Sequence, residues 1–459
     1  MRKPRIESVI LTILLLFAAF VFGFIAEDVR ASGLDISRLV ASLELLPQRL
    51  ENIRGDESAS GDKAVLPLID TYSSVMERLK SDYYGGKVDE RQLTYSAIRG
   101  TLVALGDPFT RFMDPDEYKK MREENEGNFT GIGAQLDTNK KGEVIVKEPL
   151  PNTPAERAGV KANDVILAVD GKIIKGMDID DVVKMIRGKE GTKVKLSLRR
   201  PGRTKLLDIS ITRQLVQYQM VRSKMVDEKS GIGYIRLYQF NEQSDAQFDK
   251  AMSDLEKKRM KGLILDLRGN PGGLLQVAVD IGSRFIESGP VVIIQERGGQ
   301  RNPLYVEEEK HNHKRYPLVV LVDKSSASAS EIVSGAIKDD KAGTLVGVTT
   351  FGKGRVQTIL PMQDGSAVAI TTAKYLTPNG TDIHKKGIDP DIVVEQPDID
   401  TLLAELGEKG KEDFDPADPK YDVQLTKAID VVKVKLGLLP ESALDKMKTA
   451  AKVTVKAGK

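Results

Sequence analysis

"KGLILDLRGNPGGLLQVAVDIGSRFI", residues 261–286, decides the fold. Its first part reads as a strand buried on both faces, because apolar residues follow one another without alternation. Gly269 to Gly273 then break the strand with a loop that presents N–H groups, Pro271 contributing none. A helix follows. Outward from this unit the same alternation repeats. "GIGYIRLYQF" reads as a strand and "SDAQFDKAMSDLEKKRM" as a helix before it. After it come the strands "PVVIIQER" and "PLVVLVD", the helix "SEIVSGAIKDDK" and the strand "GTLVGVTT". Such alternation from Lys224 to about Glu395 predicts a largely parallel sheet with helices on its faces. The glycine loop matches neither G-x-x-x-x-G-K-[ST] nor G-x-G-x-x-G, which argues against a nucleotide site.

"VDKSSASASEIVSG", residues 322–335, places five serines at the next strand-to-helix turn. Ser328 and Glu331 have the spacing of a capping box, a structural duty. The same position suits a nucleophile, since orphan N–H donors and the positive helix end stabilise an oxyanion. A base is then needed. The three histidines offer none with an evident orienting partner: His311 and His313 lie in a charged loop, and His384 near the end of the α/β region. A metal site at His311 and His313, with Glu307 to Glu309 nearby, is outweighed by a solvated loop. Lysine is the other base able to activate a serine. With an ordinary pKa of ~10.4 it must shed its proton near neutrality, a differential solvation of roughly 4 kcal/mol that burial supplies. Lys353, between Gly352 and Gly354 in "GVTTFGKGRVQTILPM" (347–362), is the candidate; in isolation it also reads as a lysine in a surface hairpin.

Together, "DLRGNPGG", "SASASEI" and "FGKG" with "VQ", ending in "YLTPNG" and "GIDPD", resemble the C-terminal processing peptidases, or tail-specific proteases. The resemblance runs from about Val65 to Val394. It implies Ser328 as nucleophile, Lys353 as general base, Gln357 as the glutamine that orients the lysine, and the backbone N–H groups of Gly272 and Ala329 as oxyanion donors. Whether Gly272 or its neighbour Gly273 donates stays open. No metal and no cofactor are implied. The alternative, a catalytically inactive scaffold with a protease-like core, would be expected to have lost either Ser328 or Lys353.

Between residues 128 and 213 the chain turns into short β-rich pieces separated by Gly, Asn and Asp, with five or six strands and two helices, the second capped by Asp178 or Asp180. This region resembles a PDZ domain. Gly131, Ile132, Gly133 and Ala134 in "TGIGAQL" correspond to the loop whose N–H groups capture a peptide C-terminus while the peptide adds a strand to the sheet edge. The resemblance further implies that this unit gates access to Ser328.

The chain of 459 residues is 40% apolar and 30% charged, with a net charge of +2, as expected for a multidomain globular protein. Aromatic residues make up 5%, Trp is absent, and no long basic block occurs, so no nucleic-acid partner is expected. Cysteine is absent, which excludes disulfides and thiolate chemistry. At the N-terminus Arg2, Lys3 and Arg5 precede an uncharged run from Ser8 to Ala26. As a helix that run spans about 28 Å, close to the ~30 Å hydrocarbon core. The leading positive flank directs the rest of the chain outside the cytoplasm, so the expected location is the cell envelope on the extracytoplasmic (periplasmic) side of the inner membrane. Membrane anchor and cleaved signal peptide are the two readings of residues 1–30.

The expected architecture is multidomain α/β. Residues 1–30 are the signal or anchor, 31–63 a linker, 64–127 a helical domain and 128–213 the PDZ-like domain. Residues 214–396 form the α/β (crotonase-like) protease core and 397–459 a helical tail. The expected partners are protein or peptide substrates with accessible C-termini and the membrane; a homo-oligomer and an adaptor are left open.

Overall fold

The computed structural model describes residues 65–139, 141–397 and 421–443. The expected membrane segment and the linker lie outside the described residues, as does most of the tail. Among the described residues no helix is long and apolar enough to cross a membrane.

The chain divides into two compact units at Gln92/Leu93. The described part of the first consists of α1 (Val65–Asp82) and the start of α2 (Glu90–Val103). In the second unit α2 is followed by β1 (Arg111–Met113) and α3 (Pro115–Glu126). Asp114 starts α3 with a full capping box to Glu117, and Gly127, at φ 71°, ends it in the left-handed conformation. The sequence reading put residues 64–127 into one helical domain. Instead β1 pairs with a strand of the C-terminal core, Arg111 opposite Ala369, so this segment belongs partly to that core.

The β-rich region is entered through β2 (Asn128–Gly131) and left through β9 (Gln214–Gln217), which pair as an antiparallel ribbon. Between them lie β3 (Ala134–Thr138), β4 (Val144–Pro149), α4 (Pro154–Arg157), β5 (Val165–Val169), β6 (Lys172–Ile173), α5 (Ile179–Ile186), β7 (Lys193–Arg199) and β8 (Leu207–Thr212). The sheet runs β3-β4-β5-β7-β8, with β6 on β5. Asp178 caps α5, accepting from the Asp180 N–H at 2.8 Å. Val182 and Ile186 of that helix pack with Val146, Ile166, Leu196 and Leu198 in a separate core.

Next come β10 (Val221–Asp227), β11 (Ile232–Leu237), α6 (Ser244–Lys257), β12 (Gly262–Asp266), α7 (Leu275–Ser283), β13 (Pro290–Glu296), β14 (Arg301–Tyr305), β15 (Leu318–Val322), α8 (Ala329–Asp339), β16 (Thr344–Gly347), β17 (Arg355–Pro361), β18 (Ala367–Leu376) and β19 (Ile392–Val393). After the undescribed stretch comes α9 (Val423–Lys435). One sheet runs β10-β11-β12-β15-β16-β19 and is parallel from β11 onward. β15 is apolar throughout and β12 as far as its last residue, Asp266, because both faces are covered. Leu263, Leu265, Val320 and Val322 face the core shared with α6, α7 and α8, while Ile264, Val319 and Leu321 meet Leu425, Ala428, Val431 and Val432 of α9. The strand "PVVIIQER" does not join this sheet. As β13 it pairs antiparallel with β14 and β18 in a second sheet, which also takes β1 and β17. Nothing in an apolar run distinguishes the two destinations.

Candidate active site

In a parallel sheet the loops beyond the carboxyl ends of the strands gather along one edge, where α/β proteins place their sites. The loop after β12 (267–274) and the loop after β15 (323–328) meet there, and hydrogen bonds join them. The Gly269 N–H donates to Asp323 Oδ1 at 3.0 Å, and Ser326 Oγ to the Leu267 carbonyl at 2.8 Å. The Asn270 carbonyl accepts from the Ala327 N–H at 3.0 Å and from Ser330 Oγ at 2.9 Å. Two of the five serines are therefore fasteners.

Ser328 differs from them. It is half-buried, ends the loop and stands directly before α8, with φ 55° and ψ −114°. A non-glycine residue in that region is strained, by about 1–3 kcal/mol, and persists only where its surroundings over-determine it. Glu331 does much of that. Its side chain is fully buried and accepts from the Ser328 N–H (2.9 Å), the Lys353 N–H (2.9 Å), the Gly352 N–H (2.6 Å) and Thr350 Oγ1 (2.6 Å). The Tyr375 hydroxyl donates to the Ser328 carbonyl at 3.2 Å. A buried carboxylate demands such donors, and here they come from both the serine turn and the lysine turn. The spacing of Ser328 and Glu331 predicted a cap; that the same carboxylate fastens the lysine turn depends on residues some twenty positions downstream.

Gly352 and Gly354 allow the lysine turn to press against residues 384–387. A Cβ at Gly354 would stand 2.9 Å from the His384 nitrogen, and one at Gly352 3.0 Å from the nitrogens of Lys386 and Gly387. Lys353 is partly buried. Its pKa is lowered, first by burial and then by the charge of Arg111, against an opposing effect of Glu331. Its Nζ lies 5.2 Å from the centre of the Phe109 ring, and among the described residues no hydrogen bond joins it to Ser328. The Gln357 amide donates to Thr371 Oγ1 at 3.5 Å and makes no hydrogen bond to Lys353 in this arrangement. Phe109 and Arg111 were not found from sequence. They stand in "DPFTRFMDP" (107–115), where Pro108 and Pro115 flank a strand too short for any periodicity to register.

The oxyanion assignment divides. The Ala329 N–H, at the first position of α8, is among the orphan donors of a helix start and is engaged by no group among the described residues. The Gly272 N–H, however, donates to the buried Asn270 Oδ1 at 2.9 Å. What Gly272 supplies is space: a Cβ there would sit 2.7 Å from Ser328 Cβ and 2.8 Å from the Ala329 nitrogen, at φ 99°. The Gly273 N–H has no partner among the described residues.

Two of the three histidines have other occupations. The His313 ring nitrogens lie 3.1 Å from Asp249 and 3.1 Å from Glu256, and His311 Nε2 2.9 Å from the Ile286 carbonyl. His384 stands edge-on to Phe109 at 6.1 Å, its pKa lowered by burial and then by Arg355.

A second concave surface lies in the β-rich domain. A groove of about 790 Å³ runs between β3 and α5, lined by Ile132, Ala134, Leu136, Ile179, Val183 and Ile186 among others. The sequence did not show which side chains line it. Residues 131–134 form one end, and the N–H groups of Ile132 and Gly133 are engaged by no group among the described residues. Gly133, at φ 76°, lies so close to Thr153 that a Cβ would stand 2.3 Å from the Thr153 Cβ. At the C-terminal end of α5, Arg187 donates to Glu123 of α3 at 2.7 Å and to the Tyr218 hydroxyl at 3.0 Å.

A model of peptidase family S41 matches residues 231–394, and a model of the PDZ domain matches residues 145–200. The chain is 42% identical over 370 residues to the carboxy-terminal processing protease CtpA of Bacillus subtilis, covering 80% of this chain and 77% of that one. It is 38% identical over 387 residues to a carboxy-terminal-processing protease of Bartonella bacilliformis, covering 79% and 87%. A carboxyl-terminal-processing protease of Synechocystis is 38% identical over 350 residues, covering 76% and 79%.

Proposed function

The chain belongs to peptidase family S41, and from that premise we propose that this serine protease cuts proteins at or near their C-termini with Ser328 as nucleophile and Lys353 as general base. The observation that carries the proposal is the buried Glu331 carboxylate, which holds the Ser328 N–H and the Lys353 N–H at 2.9 Å each. For attack, the Lys353 side chain leaves the Phe109 ring and its neutral amine takes the proton of Ser328 Oγ. The alkoxide adds to the substrate carbonyl, whose oxyanion meets the open Ala329 N–H. A second donor is Gly273, or Gly272 once Asn270 releases it. Lys353 returns the proton to the leaving amine, and water then hydrolyses the acyl-enzyme.

The groove between β3 and α5 takes the substrate's last residues as an added strand, with the carboxylate on the Ile132 and Gly133 N–H groups. The uncharged run 8–26 behind a positive flank supports a location at the extracytoplasmic face of a membrane, by an anchor or after export.

The test is hydrolysis of a peptide with an apolar C-terminus. Ser328→Ala and Lys353→Ala are each expected to lower kcat by about 10³-fold or more with the fold intact. A Lys353→Ala enzyme that keeps most of its activity overturns the lysine base.

A further inference from the structure

We infer that Asp422, at the start of the C-terminal helix α9, is a positioning residue for the loop beside Ser328 and acts through Arg268. The inference rests on the proposal that Ser328 is the nucleophile and that the loop after β12 borders its oxyanion.

Arg268 belongs to that loop, two residues before Asn270. Its five side-chain N–H donors are all engaged. Nε donates to Asp266 Oδ1 at 3.0 Å and Nη2 to Asp266 Oδ2 at 2.7 Å. Nη2 also reaches Asp422 Oδ2 at 2.7 Å, while Nη1 reaches Asp422 Oδ1 at 2.8 Å and Gln424 Oε1 at 3.0 Å. This fork is bidentate toward each carboxylate, the geometry that fixes a guanidinium in direction as well as in place. Asp266 is fully buried and Asp422 is 5% exposed. Burial alone would push the Asp266 carboxyl up; the charge of Arg268 overcomes this and holds it below its ordinary range.

Each carboxylate has a further anchor. Asp266 Oδ2 accepts from the Tyr234 hydroxyl at 2.7 Å, and Asp422 Oδ1 caps α9 by accepting the Leu425 N–H at 2.9 Å. Asp266 ends a central strand, paired with Arg236 of β11 on one side and Leu321 of β15 on the other. Asp422 comes from the helix on the opposite face of the sheet from α6, α7 and α8. The residues that follow Arg268 are linked without slack: Gly269 to Asp323, then Asn270 to Ala327 and Ser330 on either side of Ser328. Asp422 therefore sets the direction of Arg268, and Arg268 the height at which Asn270 and Gly272 meet the serine turn. Without Asp422, half of the guanidinium fork in a dry site has lost its acceptor, and the loop tilts to find one.

A purely structural role would amount to docking α9, and the same helix offers a control. Lys433 near its other end pairs with Asp227 at 2.8 Å, far along the chain from the loop. Asp422→Asn keeps an N-cap residue and the side-chain volume but loses the charge; Lys433→Met breaks the other ion pair. In the full-length enzyme, at a temperature where circular dichroism shows each variant folded, Asp422→Asn is expected to lower kcat about 10–100-fold with KM changed less than about twofold, the size of effect that misplacement by an ångström produces. Lys433→Met is expected to keep kcat within about twofold, and Asp422→Glu to recover part of the loss. Wild-type kcat in Asp422→Asn, or an equal fall in both variants, overturns the inference. Should Asp422→Asn not fold, Gln424→Leu, which removes another acceptor of the same fork, decides the same question by a fall in kcat at constant KM. Ser328→Ala run alongside separates the two layers. If Ser328→Ala stays active, the proposed nucleophile is wrong; if it is inactive while Asp422→Asn is normal, only the role of Asp422 falls.

Discussion

Around Ser328 one buried carboxylate holds the N–H groups of Ser328, Gly352 and Lys353 and leaves those of Ala329 and Gly273 open between fastened neighbours, whereas the groove of the PDZ domain has no such holder beside the open N–H groups of Ile132 and Gly133. The candidate active site is a frame of polar contacts: Glu331 with four donors within 2.9 Å, Asn270 between the end of β11 and the serine turn, Arg268 between two carboxylates. The PDZ groove is an open sheet edge on a domain that joins the core through a two-stranded ribbon. Chemistry needs donors held in place before substrate arrives, while capture of varied C-termini needs unsatisfied backbone that any peptide can complete. The Lys353 amine rests over the Phe109 ring, 5.2 Å from its centre.

The contrast breaks most sharply at Glu331. Glu331→Ala leaves the N–H groups of Ser328, Gly352 and Lys353 without their acceptor, at a cost of about 1–3 kcal/mol for each one left buried and unpaired. Loss of detectable hydrolysis and a lower Tm are expected together; normal turnover would show that the frame is not needed. The groove should respond in binding instead of turnover. A substrate amidated at its C-terminus cannot offer a carboxylate to residues 131–134, and its KM is expected to rise about tenfold with kcat little changed, equivalent to one charge-assisted bond. An unchanged KM would detach the groove from substrate capture. The smallest effect concerns Arg111. Its charge helps hold the Lys353 pKa below that of an ordinary lysine, after the larger effect of burial. Removing it in Arg111→Met raises that pKa, so at a given pH less of the amine is neutral. The rising limb of the kcat–pH profile is expected to move toward higher pH; a limb that stays or moves toward acid would remove Arg111 from the account.

Much of the frame was legible before any coordinates. The unbroken apolar runs of β12 and β15 announced strands buried on both faces, and the turn residues after them announced loops at one sheet edge. Ser328 and Lys353 were candidates by residue type and neighbours, each with a structural reading beside it, and the resemblance to the C-terminal processing peptidases singled them out. The limits fell where distant segments meet. "PVVIIQER" reads as a strand, yet only pairing with β14 and β18 puts it in the antiparallel sheet. "GDPFTRFM" reads as an interruption between helices, yet β1 brings Phe109 and Arg111 to the lysine. Gln357 matched a motif, but its amide meets Thr371.

By itself, then, the sequence determined the succession of strands, loops and helices and the residue types able to act as nucleophile and base. Hydrophobic period, glycine turns and capping residues act over a few positions, and a linear pattern records them. Only the tertiary structure decided which N–H groups remain open, what the amine of Lys353 rests against, and that Asp422 grips Arg268 from the far face of the sheet. Those outcomes depend on hydrogen bonds closed between segments far apart in the chain, whose partners leave no mark on one another's local sequence.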